Sequence, residues 1–266
     1  MIELNDDKTL FSFDRDLEPV LTVKSGETVR IRTKDCFSNQ LTGPQDTMDD
    51  LDWDAINPAT GPVFVEGAKA GGALKVRIEN IEFDERTCSA TGQDEGVCGN
   101  RFTEWATHYC KIQGNTLAWD ERLNIPLRPM IGVIGVAPEG EPVNCGTPGS
   151  HAAMGDGEVS VSGAEVAGYA TVTLTALPEL KLVNPLIEND THFGIIVSAE
   201  SLDAAAELAV QQMVDLLASR TSESEADLVM LLSLVADVQV CQMVDPQKTV
   251  RFMVPKYVLD AIGFAL

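Results

Sequence analysis

Along this chain the spacing of apolar positions changes once, near residue 197. Before it, short apolar runs alternate with polar residues. Val20-Leu21-Thr22-Val23 and Thr28-Val29-Arg30-Ile31-Arg32 are two β-prone runs around Lys24-Ser25-Gly26-Glu27, a pattern that predicts a hairpin. Leu74, Val76, Ile78 and Ile81 alternate with Lys75, Arg77, Glu79 and Asn80, as expected of a strand with one buried face. Similar runs at Met130 to Val136 and Val159 to Leu177, with dense Gly and Pro between, predict further strands joined by loops.

After Val197 the period lengthens. Leu202, Ala206, Ala209, Met213, Leu216 and Leu217 recur at helical steps, predicting an amphipathic helix capped by Ser201. Ser222 and Glu225 form a capping-box pattern ahead of a second helix carrying Leu228, Leu231, Leu232 and Val235. These Met and Leu stripes are read as core. Val238 to Val244 and Thr249 to Val254 predict strands flanking Asp245-Pro246-Gln247-Lys248. The expected fold is mostly β, a sandwich- or barrel-like body over residues 1–197, with an α/β layer over 198–266 packed closely on it.

Composition narrows the function. No apolar run approaches the roughly 20 residues that cross a bilayer, and the N-terminus lacks the basic and apolar segments of a secretory signal. The expectation is a soluble, cytoplasmic protein. Nineteen Lys and Arg against 41 Asp and Glu give a formal charge of -22, which repels nucleic acid and anionic membranes and argues against both as partners. The six cysteines contain no C-x-x-C pair. Reduced thiols are expected, even where Cys88, Cys98, His108 and Cys110 fall close in sequence.

The densest polar segment is Thr147-Pro148-Gly149-Ser150-His151-Ala152-Ala153-Met154-Gly155-Asp156-Gly157-Glu158. Imidazole and carboxylates suit a divalent ion, zinc or calcium, and the glycines allow the backbone to fold tightly enough to bring them together. An exposed polar loop is the other reading. Glu66 ends the run Val63-Phe64-Val65, where a charge is expected to be partly buried, and Asp35 follows the strand ending near Arg32; both are candidates to face one site. Asp49, Asp50 and Asp52 read as a solvated acidic loop, and His192 as a structural histidine. With no G-x-S-x-G elbow, P-loop or strand-linked G-x-G-x-x-G, serine-triad and nucleotide chemistry lose support.

Five stretches resemble successive signatures of the acetamidase/formamidase family: Asn57 to Ala68, Pro129 to Pro138, His151 to Glu158, Val244 to Arg251 and Val254-Pro255-Lys256. The resemblance implies a homodimer or higher homo-oligomer that hydrolyses a short-chain primary amide, of the formamide or acetamide class, to a carboxylate and ammonia with a metal-activated water. By matching position it implies His151, Asp156 and Asp35 as ligands of a divalent metal, with Glu158 beside them, and Glu66 and Glu158 as the catalytic carboxylates. One departure stands out: the family pattern carries a His-Gly-Gly-Asn-Met-Asp segment before the His-Ala-Ala motif, whereas here Thr147-Pro148-Gly149-Ser150 runs straight into His151. That shortening keeps two alternatives open, a non-catalytic metal- or ligand-binding β protein and a hydrolase of a related amide.

Overall fold

A computed structural model describes residues 1–146, the backbone of 152–154, and residues 158–266. The body is built on a four-stranded sheet in the order Ile2–Leu4, Glu27–Thr33, Gly168–Leu177, Ala73–Phe83. Against it lies a parallel pair, Leu21–Lys24 with Val63–Glu66. Val23 and Val65 from the pair meet Val29, Ala170, Val172 and Leu174 from the sheet in one core. Two layers with their apolar faces turned inward make the body sandwich-like.

The two strands expected as a hairpin form where the sequence places them, but they do not pair. Leu21–Lys24 joins Val63–Glu66, and Glu27–Thr33 joins Gly168–Leu177. A tight hairpin with Lys24 opposite Glu27 would set Val23 opposite Thr28, turning Val23 and Val29 to opposite faces. An arch between layers buries both, at 1% and 0% exposure. Gly26 makes the corner at φ 91, a conformation that side chains disfavour, and its N–H donates to the Leu174 carbonyl at 2.7 Å.

In Ala73–Phe83 the step from Ile78 to Ile81 breaks strict alternation, and the ladder shows why. Val172 lies opposite Ile78 and Thr171 opposite Asn80, so Glu79 is the extra residue of a bulge. A second antiparallel sheet runs Asn124–Pro126, Thr116–Ala118, Ala106–Gln113, Arg86–Thr91. Beside it Phe37, Leu41, Met48, Leu51, Cys88 and Ala90 form a separate core. The remaining strand pairs of the body are two or three residues long. Among the described residues no sheet closes on itself, so the barrel half of the expectation is corrected: strands this short, broken by Gly- and Pro-rich loops, give open pieces.

The C-terminal sheet has the order Leu186–Glu188, His192–Ala199, Lys248–Pro255, Asp237–Gln242. Its first two strands therefore start before the change of period. Helices α1 (Leu202–Ala218) and α2 (Glu225–Val235) pack on it, and α3 (Lys256–Ala261) follows. Ala205, Ala209, Met213 and Leu217 of α1 share one core with Val197, Val250 and Val254. Ser201 caps α1 by accepting the Ala204 N–H at 3.2 Å. The cap of α2 is not Ser222 but Ser224, which accepts the Asp227 N–H at 3.1 Å and donates to the Asp227 carboxylate at 2.6 Å. Starting there gives Asp227 the place that the sequence reading gave to Glu225, and Leu228 and Leu232, one turn apart, enter the core. Among the described residues no helix is long and apolar enough to cross a membrane.

Candidate active site

The segment from Glu158 to Glu165 links the C-terminal sheet to the body. At one end the Glu158 N–H donates to the Cys241 carbonyl at 3.3 Å, in a parallel bridge between Glu158 and Gln242. At the other, Glu165 and Cys88 exchange backbone hydrogen bonds of 2.9 and 3.0 Å. Between them Ser162 is buried and its hydroxyl accepts the Ala90 N–H at 2.7 Å. The apolar run expected from Val159 becomes a strand only at Gly168. Before that point the chain is spent on these clamps.

Asp35 lies just after Glu27–Thr33. Its carboxylate accepts the Asn39 N–H at 2.7 Å, and the Asn39 side chain accepts the Asp35 N–H at 3.0 Å. Burial pushes the Asp35 carboxyl above its ordinary range, against the N–H groups of Asn39 and Phe37 that hold it down. Next to it the Cys36 thiol donates to the Glu165 carboxylate. Burial, then the charges of Glu165 and Asp35, push that thiol well up. Burial thus favours the protonated thiol.

Glu165 accepts the Gly163 N–H at 2.9 Å and bonds from Cys36, yet burial still raises its carboxyl. Glu158 is pushed up to about 7, first by burial and then by the negative charges of Asp245 and Glu165. Asp245 is raised by burial, opposed by Lys248. Asp35, Glu158, Glu165 and Asp245 are thus neighbouring carboxylates in a half-buried region. A carboxyl poised near 7 can both take and return a proton at neutral pH.

Buried Gln242 builds the turn that carries Asp245. Its Nε2 donates to the Gln247 carbonyl at 2.6 Å and to Thr249 Oγ1 at 2.9 Å, while its Oε1 accepts the N–H groups of Val244 and Asp245 at 2.9 and 3.1 Å. Lys248 Nζ donates to the Asp245 carbonyl at 2.5 Å. Asp245 Oδ2 is closed off from solvent and accepts no hydrogen bond from any described residue.

Of the residues expected from sequence, Asp35 and Glu158 come together here, both acting on Cys36. Glu66 does not join them. It ends its strand opposite Lys24, with an exposed side chain rather than the partly buried one expected, because that end of the ladder opens to solvent. His151 and Asp156 lie outside the described residues. The expected zinc or calcium ion is corrected: among the described residues no group of three or more His, Cys, Asp or Glu side chains is placed to hold a metal ion. His192 hydrogen-bonds Thr191 at 2.9 Å, and no disulfide joins the six cysteines.

Sequence reasoning missed Glu165, Asp245 and Cys36. For Glu165 a signal was present, a lone carboxylate inside the apolar run from Val159 to Leu177. Asp245 read only as a turn residue.

The acetamidase/formamidase family model matches residues 3–145, more than half of the chain. The chain belongs to the acetamidase/formamidase family. A crystal structure titled a recombinant predicted acetamidase/formamidase from Thermoanaerobacter tengcongensis is 39% identical, with a TM-score of 0.96 over 100% of this chain and 99% of that one. An acetamidase structure from Bacillus halodurans is 36% identical, with a TM-score of 0.94 over 98% of this chain and 100% of that one. An acetamidase from Yersinia enterocolitica, 24% identical with a TM-score of 0.87 over 97% and 93% of the two chains, shows the shared fold. No curated protein matches. As a member of this family the chain is an amide-hydrolysing enzyme, and the non-catalytic alternative gives way.

Proposed function

We propose that this acetamidase/formamidase family enzyme hydrolyses a short-chain primary amide, of the formamide or acetamide class, to the carboxylate and ammonia, with Glu158 moving the proton. The observation that carries this reading is the Glu158 carboxyl, half-buried beside Asp245 and Glu165 and pushed up to about 7. An amide resists hydrolysis because its carbonyl is a weak electrophile and its nitrogen a poor leaving group. A carboxylate that takes a proton from water as the oxygen attacks the carbonyl, then returns it to nitrogen as the C–N bond breaks, addresses the second difficulty. Exposed Glu66 has no such surroundings. The formal charge of -22 fits a neutral substrate better than an anionic one. The test is ammonia release from formamide, acetamide and propionamide; no release from any amide of this size would remove the reading.

A homo-oligomer is also proposed. Helix α2 is apolar on most of its surface, yet Val229, Met230 and Leu234 are exposed, as are Val238 and Val240 on the adjoining outer strand. Leu234 is 83% exposed, an unusual position for such a side chain in a chain that works alone. A second copy would cover this surface. Light scattering would give a multiple of 28.6 kDa, and a single-chain mass for the purified protein would refute the proposal.

A further inference from the structure

Glu158 and Val159 are consecutive in the chain, and they are held from two different sides. The Glu158 N–H donates to the Cys241 carbonyl of the C-terminal sheet at 3.3 Å, whereas the Val159 carbonyl accepts the Val97 N–H at 3.0 Å. Val97 belongs to the loop 92–105, which joins Arg86–Thr91 to Ala106–Gln113 in the second sheet of the body. The side chains of Val97 and Val159 are 54% and 62% exposed, so packing between them contributes little to this contact. Backbone makes it. Ala90 holds Ser162 and Cys88 holds Glu165 further along the same segment, and of these contacts the Val97 bond lies nearest to Glu158 in the chain.

So close an approach of two backbones needs a residue without a side chain. Gly96 turns at φ 69, in the left-handed region that side chains disfavour. A side-chain carbon there would stand 2.9 Å from the Val159 carbonyl oxygen and 2.9 Å from the Ser160 Cα, nearer than non-bonded atoms pack. The loop is also tied to itself: the Asp94 N–H donates to the Gly99 carbonyl at 3.1 Å, and a side-chain carbon on Gly99 would meet the Asp94 backbone at 2.6 Å. We propose that Gly96 is a positioning residue for amide hydrolysis, which lets the loop 92–105 close on Val159 and Ser160 and so sets where the Glu158 carboxyl stands. The inference rests on the reading of Glu158 as the proton-transferring group. Such a group must lie within hydrogen-bond reach of the proton that it takes, and a displacement of about 1 Å can cost roughly 10²-fold in rate.

The experiment measures kcat and KM, on whichever of formamide and acetamide the wild-type enzyme turns over faster, for wild type, Gly96→Ala, Glu158→Gln and the double variant. Gly71→Ala is the control for backbone strain. Gly71 has φ 72, and no atom beyond its chain neighbours lies within 4 Å of where a side-chain carbon would stand, so alanine meets the same backbone conformation there without a collision. Gly96→Ala should lower kcat by roughly 10- to 100-fold with KM little changed, and Gly71→Ala should keep the wild-type kcat. In the Glu158→Gln background Gly96→Ala should cost nothing further, because two changes that act through one group do not add. Should Gly96→Ala fail to fold, Gly99→Ala, which crowds Asp94 inside the same loop, takes its place with the same expectation. Wild-type kcat in the folded loop variant, or an equal loss when Glu158 is already replaced, would overturn the inference and leave the amidase reading intact. Full turnover by Glu158→Gln, or wild-type enzyme inactive on both amides, would instead overturn the reading beneath it.

Discussion

Glu158 and Gln242 form a parallel bridge, with the Glu158 N–H on the Cys241 carbonyl at 3.3 Å. The residue proposed to move protons is thereby attached, through backbone, to the residue that shapes the Asp245 turn. Two elements far apart in sequence, the end of the His-Ala-Ala motif and the hairpin of the C-terminal sheet, are fixed against each other at that rung.

Glu158→Gln keeps the size of the side chain and removes the titrating group. Amide turnover should fall by about 10²- to 10⁴-fold, with the circular dichroism spectrum unchanged. Full turnover in a folded variant would take Glu158 out of the reaction.

The raised carboxyls also set how stability responds to pH. A carboxyl with a higher pKa folded than unfolded binds more protons in the folded state, so its contribution is complete below the unfolded value and is lost as pH rises through the folded one. For Glu158 that window runs from the ordinary 4.5 to about 7. Asp35, Glu165 and Asp245 are raised in the same direction. Urea midpoints should therefore decline between pH 4.5 and 7.5, and Glu158→Gln should show a shallower decline than wild type. Identical slopes would mean that burial does not hold the proton on Glu158.

Gln242→Leu fits the volume but leaves the N–H groups of Val244 and Asp245 without their acceptor. A loss of about 1–3 kcal/mol is expected for buried groups left unpaired, measured by chemical denaturation. A neutral result would show that water replaces the side chain.

The two serines before α2 separate the sequence reading from the structure. Ser224→Ala removes the cap on Asp227 and should cost about 1 kcal/mol. Ser222→Ala should cost nothing measurable. The reverse order would restore the box as read from sequence.

Local pattern carried the helices and most strands because each is set by its own periodicity: Met213 and Leu217 are buried at 0% exposure, where the helical step put them. Pairing was harder to read. Whether Leu21–Lys24 meets Glu27–Thr33 or Val63–Glu66 depends on where Val23 and Val29 find a common core, and that core is supplied by residues near 65 and 172. The site behaved likewise. Asp35 was visible as a carboxylate following a strand and Glu158 as the end of the polar segment, but Glu165 and Asp245 matter only through neighbours brought in by the fold. Glu66 misled because a strand end can open to water as readily as to a cleft.

The strand Gly168–Leu177 lies between Glu27–Thr33 and Ala73–Phe83 in the main sheet. During synthesis these two flanking strands leave the ribosome long before the one that joins them, each with a ladder edge still open. Pairings this distant in the chain assemble slowly and leave apolar edges uncovered in the interval. Nascent chains of this protein should accordingly depend on chaperones until residue 177 has emerged, and truncations ending before Gly168 should aggregate when expressed.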